Sequence, residues 1–246
     1  IGMGLVWTSV PWFIFKGREE TRGWREVLAY GDTAQGKTEI AKSLAEHYGL
    51  GRLISGENCS AAGLLAGVDK LNGQYVSKPG LFVREDLGLV MIDEYHGMVE
   101  AIKKLLSDAR GGWINMSKIS GDFRQPGRAR KLFLANCINW KGGSIPMASR
   151  TFGVEHVMPI MGAPEDVRRL DYVIGFAHND SITNLMHRYS ANGTAQVFTK
   201  DIWRILLDWV WSRKMHQTLW TPGTEDCIIA EAQNMSSTYD SGIPLC

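Results

Sequence analysis

From residue 25 to about residue 160 the chain alternates short apolar runs with glycine-rich turns and amphipathic stretches. The runs at 26–30, 52–55, 87–92, 131–135 and 154–160 read as five strands. Several are apolar on both faces, as strands buried in a parallel sheet are. Segments 37–48 and 98–109 carry helical spacing between them. Strands alternating with helices predict an α/β sandwich on a parallel sheet. After Gly162-Ala163-Pro164 the character changes, and 165–178, 181–189, 199–215 and 225–235 look helical, with Pro and Gly between some pieces. The pattern therefore predicts a boundary near Gly162, with an α/β core over 1–162 and a small helical domain over 163–246.

The ends and the composition narrow the class. The first fifteen residues carry no charged side chain, yet they lack the basic start and small-residue cleavage site of a signal peptide. Pro11 and Lys16 interrupt the run before the roughly 20 apolar residues a membrane span needs. This stretch reads as core-packing structure, and no membrane partner is expected. The closing residues 242–246 lack a polar tail, which reads as part of a longer protein. With 246 residues, 44% hydrophobic and 22% charged, the chain is neither disordered, collagenous nor coiled-coil. A net charge of +1 argues against a uniformly basic coat for nucleic acid, while leaving room for a local basic element. Cys59, Cys137, Cys227 and Cys246 are too widely spaced for a paired zinc motif and read as buried free thiols. Localisation is expected to be cytoplasmic or nucleoid/nuclear, not secreted.

The chemistry begins at Gly31-Asp32-Thr33-Ala34-Gln35-Gly36-Lys37-Thr38, a full GxxxxGK[ST] between a predicted strand and a predicted helix. Such a loop turns backbone N–H groups inward at phosphate oxygens, and the helix N-terminus adds a favourable field for negative charge. Lys37 would reach the β- and γ-phosphates of ATP, and the Thr38 hydroxyl would ligate Mg²⁺. Further on, the apolar run Leu89-Val90-Met91-Ile92 ends abruptly in Asp93-Glu94. Alone, two acids could merely open a helix. Beside the phosphate loop they fit the crevice at the carboxyl ends of an open sheet. Asp93 would then hold Mg²⁺, mostly through water, and Glu94 would activate the attacking water. A third strand ends in Asn136, which alone would be an ordinary strand terminus and turn former, and beside the two nucleotide motifs could position that water or touch the γ-phosphate. Ser149-Arg150 precedes the run at 154–160, where a neighbouring subunit's arginine finger could arise.

These landmarks, taken in order, resemble the AAA+ motor domain of the minichromosome maintenance (MCM) replicative helicases. After the phosphate loop, Ser55-Gly56 through Ser60-Ala61-Ala62-Gly63-Leu64 resembles the family's Ser-Gly…Ser-Ala-Ala-Gly-Leu segment. It leads into a helix-2 insertion over about 66–84, with Asn72-Gly73 as the turn. Residues 81–98 follow the family's strand-acid-acid pattern, with Met98 in its expected place. Ile114-Asn115-Met116-Ser117-Lys118 corresponds to the start of the pre-sensor-1 hairpin, set at about 113–131, whose lysine in the family contacts DNA in a central channel. Asn136 matches sensor 1 and Arg150 the arginine finger. The resemblance implies a P-loop AAA+ three-layer sandwich followed by a small helical lid, and Pro244 corresponds to the approach to the sensor-2 helix. It also implies a homo-oligomeric ring, hexameric in type, acting on single- and double-stranded DNA.

The chain departs from the family at several points. Gly36-Lys37-Thr38 replaces Ala-Lys-Ser, and Tyr95-His96-Gly97 replaces Phe-Asp-Lys. Cys137 follows Asn136 where Pro is usual, and Thr151-Phe152-Gly153 follows Arg150 without the usual Phe-Asp. Between Arg110 and Lys131 the bases Arg110, Lys118, Arg124, Arg128, Arg130 and Lys131 face one acid, Asp122. A hairpin of that balance would neutralise phosphates with little sequence preference, led by Lys118 with Arg124, Arg128 and Arg130. Trp113 at its base reads as core, with a stacking residue as the alternative, and Trp203, Trp209 and Trp211 as helical-domain core or subunit interface. A MoxR- or magnesium-chelatase-type ATPase that remodels a protein partner is the rival enzyme reading. A nucleotide-binding ring subunit without turnover is the third.

Overall fold

The computed structural model describes residues 2–119, 121–177 and 198–239. A short 3-10 turn at Gly2–Val6 precedes an antiparallel hairpin, β1 (Trp12–Phe15) and β2 (Arg18–Arg22). Then come β3 (Glu26–Gly31), α1 (Lys37–Tyr48), β4 (Arg52–Ser55) and the short α2 (Ala61–Leu64). A second hairpin, β5 (Ala66–Leu71) and β6 (Gln74–Pro79), leads to α3 (Leu81–Arg84), β7 (Leu89–Asp93) and α4 (Glu100–Ala109). A third, β8 (Trp113–Lys118) and β9 (Gly121–Pro126), feeds directly into β10 (Arg130–Asn136). The remainder comprises α5 (Val154–Met161), α6 (Pro164–Arg168), β11 (Tyr172–Phe176), α7 (Lys200–Trp211) and α8 (Thr224–Tyr239).

Five strands form one sheet in the order β11-β3-β10-β7-β4, with every neighbouring pair parallel. In the three central strands successive side chains enter opposite cores, as the two-residue period of a strand requires. Leu28, Tyr30, Val90, Ile92, Phe133 and Ala135 face one cluster, which α4, α5 and the β8–β9 hairpin cover. Val27, Ala29, Leu89, Met91, Leu132 and Leu134 face the other, with Ala41 of α1, Leu207 of α7 and the N-terminal Met3, Val6 and Trp7. Both faces are thus dry, which explains the uninterrupted apolar runs. The uncharged N-terminal segment does pack into the core, where Trp7 donates through Nε1 to the Leu50 carbonyl at 3.0 Å.

Two expected elements change type. The run at 154–160 is helix, not strand: Val157, Ile160 and Met161 recur at helical spacing on its buried side. A short apolar run does not by itself distinguish a buried helix from a buried strand. The fifth strand is instead β11, inside the stretch 165–178 expected to be helical. It is an edge strand, alternately half-buried and exposed, beside charged residues that resemble a helix face. The sheet therefore continues past Gly162. Residues 181–189 and Pro244 lie outside the described residues. Helix α7 sits against the second core through Leu207, and Trp211 Nε1 donates to the Trp7 carbonyl at 2.6 Å. Among the described residues no helix is long and apolar enough to cross a membrane.

Both insertions are antiparallel hairpins. The β5–β6 turn uses Asn72 and Gly73 at φ 49° and 87°, the left-handed pair a two-residue hairpin turn requires. The β8–β9 hairpin ends at Pro126 rather than 131, because Arg130 and Lys131 already belong to the sheet.

Candidate nucleotide site

Because the sheet is parallel, β3, β7 and β10 bring their carboxyl ends to the same edge. From β3 the chain crosses by way of α1 to β4, beyond β10 and β7, and so opens a crevice beside β10. The loop 31–36 curls over this edge. Gly31, at φ 149°, cannot carry a side chain: a Cβ there would lie 2.0 Å from the Phe176 carbonyl oxygen of β11. Gly36 caps α1 in the left-handed conformation at φ 73°, and Ala34 is also left-handed at φ 61°. The loop is thereby wound tightly enough to aim N–H groups at an anion.

One cleft is lined by Thr33 through Glu39 together with Asp93, Glu94, His96, Ala135 and Asn136. It unites the expected phosphate loop, acidic pair and sensor position. Gly31 and Asp32 are not in its lining. They shape the loop from behind, and the Asp32 carboxylate accepts the Met147 N–H at 2.7 Å. The Lys37 ammonium lies back over the loop, donating to the Asp32 carbonyl at 2.6 Å and the Gly31 carbonyl at 3.3 Å. Burial lowers its pKa, against the pull of Cys137, Asp32 and Asp93.

The Thr38 hydroxyl donates to Asp93 Oδ2 at 2.9 Å. Two hard oxygen donors from different elements thus meet at the cleft wall, a fit for Mg²⁺, which usually takes one or two protein oxygens and completes its shell with phosphates and water. Asp93 Oδ1 accepts the Glu94 N–H at 2.9 Å. Glu94 itself is left-handed, at φ 52° and ψ 38°. A non-glycine residue held there is uncommon and is frequently a functional constraint. Desolvation first, then the carboxylates of Glu57 and Asp93, raise the Glu94 pKa.

Sequence reasoning did not single out Glu57 or His96. His96 Nδ1 accepts the Asn136 backbone N–H at 3.2 Å, tying the turn after β7 to the tip of β10. Its pKa is lowered, chiefly by burial. The signal was present in the sequence: His96 stands at one of the chain's departures from the family pattern. Arg150 follows a 3-10 turn at Met147–Ser149 and donates to the Glu155 carbonyl at 2.7 Å. It is absent from the lining of its own chain's cleft.

The basic segment divides. Arg130 is fully buried, donating to Ser9 O at 3.1 Å, Ser9 Oγ at 2.9 Å and the Leu87 carbonyl, with Trp211 stacked 4.3 Å away. Arg128 is clamped by Asp86, with contacts of 3.0 and 2.5 Å, and lies over Trp12. Arg110 and Lys131 are buried against Glu26. None of these four belongs to an exposed hairpin, so the expected DNA-binding roles of Arg128 and Arg130 are replaced by structural ones. Arg124 remains exposed on β9, 4.8 Å over the ring of Trp113. Trp113 is 45% exposed, not core, because Ile114, Met116 and Phe123 take the hairpin's inner face. Lys118 pairs through its backbone with Gly121 at the hairpin tip. Trp209 is also exposed, whereas Trp203 packs against Tyr48 and Phe198. Of the cysteines, Cys137 is buried, with its thiol pushed up to about 11 by burial, Cys59 is half-buried and Cys227 exposed.

Residues 13–120 match the MCM P-loop domain. No curated protein matches the chain.

Proposed function

We propose, from the match of residues 13–120 to the MCM P-loop domain, that the chain is an ATP-hydrolysing motor that translocates on DNA and unwinds it during replication. The observation that carries this reading is the cleft in which Lys37, Thr38, Asp93, Glu94 and Asn136 converge from three strand ends. The loop amides and the start of α1 would hold the phosphates, and Lys37 would leave its carbonyl contacts for the β- and γ-phosphates. Mg²⁺ bound with the nucleotide would supply positive charge across the phosphates, held by Thr38 and Asp93. Glu94 would orient and deprotonate the attacking water, while Asn136 would hold that water or a γ-phosphate oxygen. No arginine lines the cleft among the described residues, and Arg150 from the next subunit of a hexameric ring would supply that charge. Helices α7 and α8 would belong to the lid. The protein would work in the cytoplasm or at the nucleoid or nucleus.

The β8–β9 hairpin would grip DNA through Lys118 and Arg124. The Trp113–Arg124 pair favours this over a protein-remodelling ATPase, because an exposed ring beside a guanidinium suits a base next to a phosphate. The test is phosphate release with and without single-stranded DNA. DNA should stimulate hydrolysis, and Lys118→Ala should keep the basal rate while losing stimulation. Hydrolysis indifferent to DNA in the unmodified protein would favour the protein-remodelling alternative, and absence of hydrolysis would favour a non-catalytic ring subunit.

A further inference from the structure

We propose that the imidazole of His96 contacts the terminal phosphoryl group of the bound nucleotide through Nε2–H, a role that rests on the nucleotide-hydrolysing reading above. The side chain is held at several points. It sits in the 3-10 turn Tyr95–Gly97, whose Tyr95 is buried against Phe133 with ring centroids 4.6 Å apart. The His96 carbonyl accepts from the buried ammonium of Lys103 at 3.3 Å, and Lys103 in turn donates to the Ile160 carbonyl at 3.4 Å. Gly97 lets the Glu57 side chain approach from the other side, since a Cβ there would lie 2.5 Å from Glu57 Oε1. With its backbone fixed, the ring has little freedom to leave the cleft wall.

The hydrogen bond from Asn136 settles the tautomer. A nitrogen that accepts an N–H at 3.2 Å carries a lone pair, so Nδ1 is unprotonated. The ring is then neutral with its proton on Nε2. Among the described residues that Nε2–H has no hydrogen-bond partner, although His96 lines the cleft. The ligand that suits a lone donor there follows from its neighbours. The loop amides and Lys37 take the phosphate groups nearest the start of α1. His96 stands with Glu94 and Asn136 on the β7–β10 wall, where the end of the phosphate chain and the attacking water would lie. An acceptor oxygen on the terminal phosphoryl group completes the set. Because the same ring accepts from the Asn136 N–H, it also joins that contact to the tip of β10.

Amide substitutions separate the two nitrogens. His96→Asn keeps an acceptor near the position of Nδ1 and removes the donor at Nε2. His96→Gln reaches the position of Nε2 and restores a donor there. The measurement is the affinity of each protein for adenylyl imidodiphosphate and for ADP, with Mg²⁺ present. His96→Asn should weaken the triphosphate analogue about tenfold relative to ADP, as loss of one hydrogen bond to a charged group predicts. His96→Gln should recover most of that ratio. A ring that merely supports β10 would leave the ratio unmoved in His96→Asn, and that result overturns the proposal while leaving the nucleotide site standing. Failure of the unmodified protein to bind either nucleotide would overturn both. ADP affinity reports whether each variant folds. Should His96→Asn fail to fold, His96→Ala against His96→Gln in the same titrations carries the comparison.

Discussion

The two ends of β3 and β10 use the same strands for opposite purposes. At the amino ends, Glu26 sits fully buried among cations: Lys131 donates to Oε1 at 2.9 Å, Arg110 to Oε2, and Arg22 approaches to 3.6 Å. Arg110 also meets Asp166 at 2.9 Å. At the carboxyl ends, five residues further along each strand, Asn136 lines an open cleft and Gly31 begins the loop that curls over it. The dry end carries full charges that compensate one another, and the open end carries polar groups that protein atoms satisfy only in part. Burying a charge is costly unless it is paired, so pairing at the amino end is a condition of the fold. Partial satisfaction at the carboxyl end leaves donors and acceptors for a ligand.

The largest effect should come from breaking the dry end. Glu26→Ala strands two buried cations and should cost about 3–5 kcal/mol in chemical denaturation. Asn136→Ala, at the other end of the sheet, should stay within about 1 kcal/mol while impairing turnover. Equal losses would erase the contrast. Acid should attack the same end. Burial alone would raise the Glu26 pKa, but Lys131, Arg110 and Arg22 outweigh it and hold it below the ordinary 4.5. The sign follows: its contribution is fully present above 4.5 and is lost as pH falls through the lower, folded-state value. Urea midpoints between pH 6 and pH 3 should fall more for the unmodified protein than for Glu26→Gln.

A smaller effect sharpens the division among the basic residues. Trp113→Ala should weaken single-stranded DNA binding by about 1–3 kcal/mol, the range for a base stacked on an aromatic ring. Arg124→Ala should reduce the salt dependence of that binding by about one phosphate contact. Arg130→Ala should instead lower stability and leave the salt slope of the folded fraction unchanged. Fluorescence anisotropy over a salt series, with a melting curve for each variant, checks all three. A salt slope that falls for Arg130 but not for Arg124 would reverse the assignment.

What could be read in advance follows the range of the interactions. The phosphate loop and the Asp93-Glu94 strand end are local patterns, and residues 33–38, Asp93 and Glu94 line one cleft. The central strands announced themselves because both their faces are buried. Arg130 did not, since its partners Ser9 and Leu87 lie 121 and 43 residues away, and nothing nearby in sequence shows a guanidinium going inward. Of the two readings open for Trp113, the sequence favoured core over stacking for a related reason. Which face of a hairpin meets the core depends on the packing of Ile114 and Phe123, not on the size of one ring. β11 was hidden by its edge position, because the charged residues just before it, Glu165 to Asp171, extend a helix-like pattern into a short half-exposed strand. His96 needed the neighbouring strand, because its partner is a backbone N–H on β10.

The central claim is that the open end of the sheet hydrolyses ATP with Glu94 as base. The most direct test is phosphate release by the unmodified protein and by Glu94→Gln, with ATP affinity measured on both. Glu94→Gln should bind ATP as tightly and release phosphate about a hundredfold or more slowly, the lower bound for loss of a general base. Unchanged release in Glu94→Gln would contradict the account.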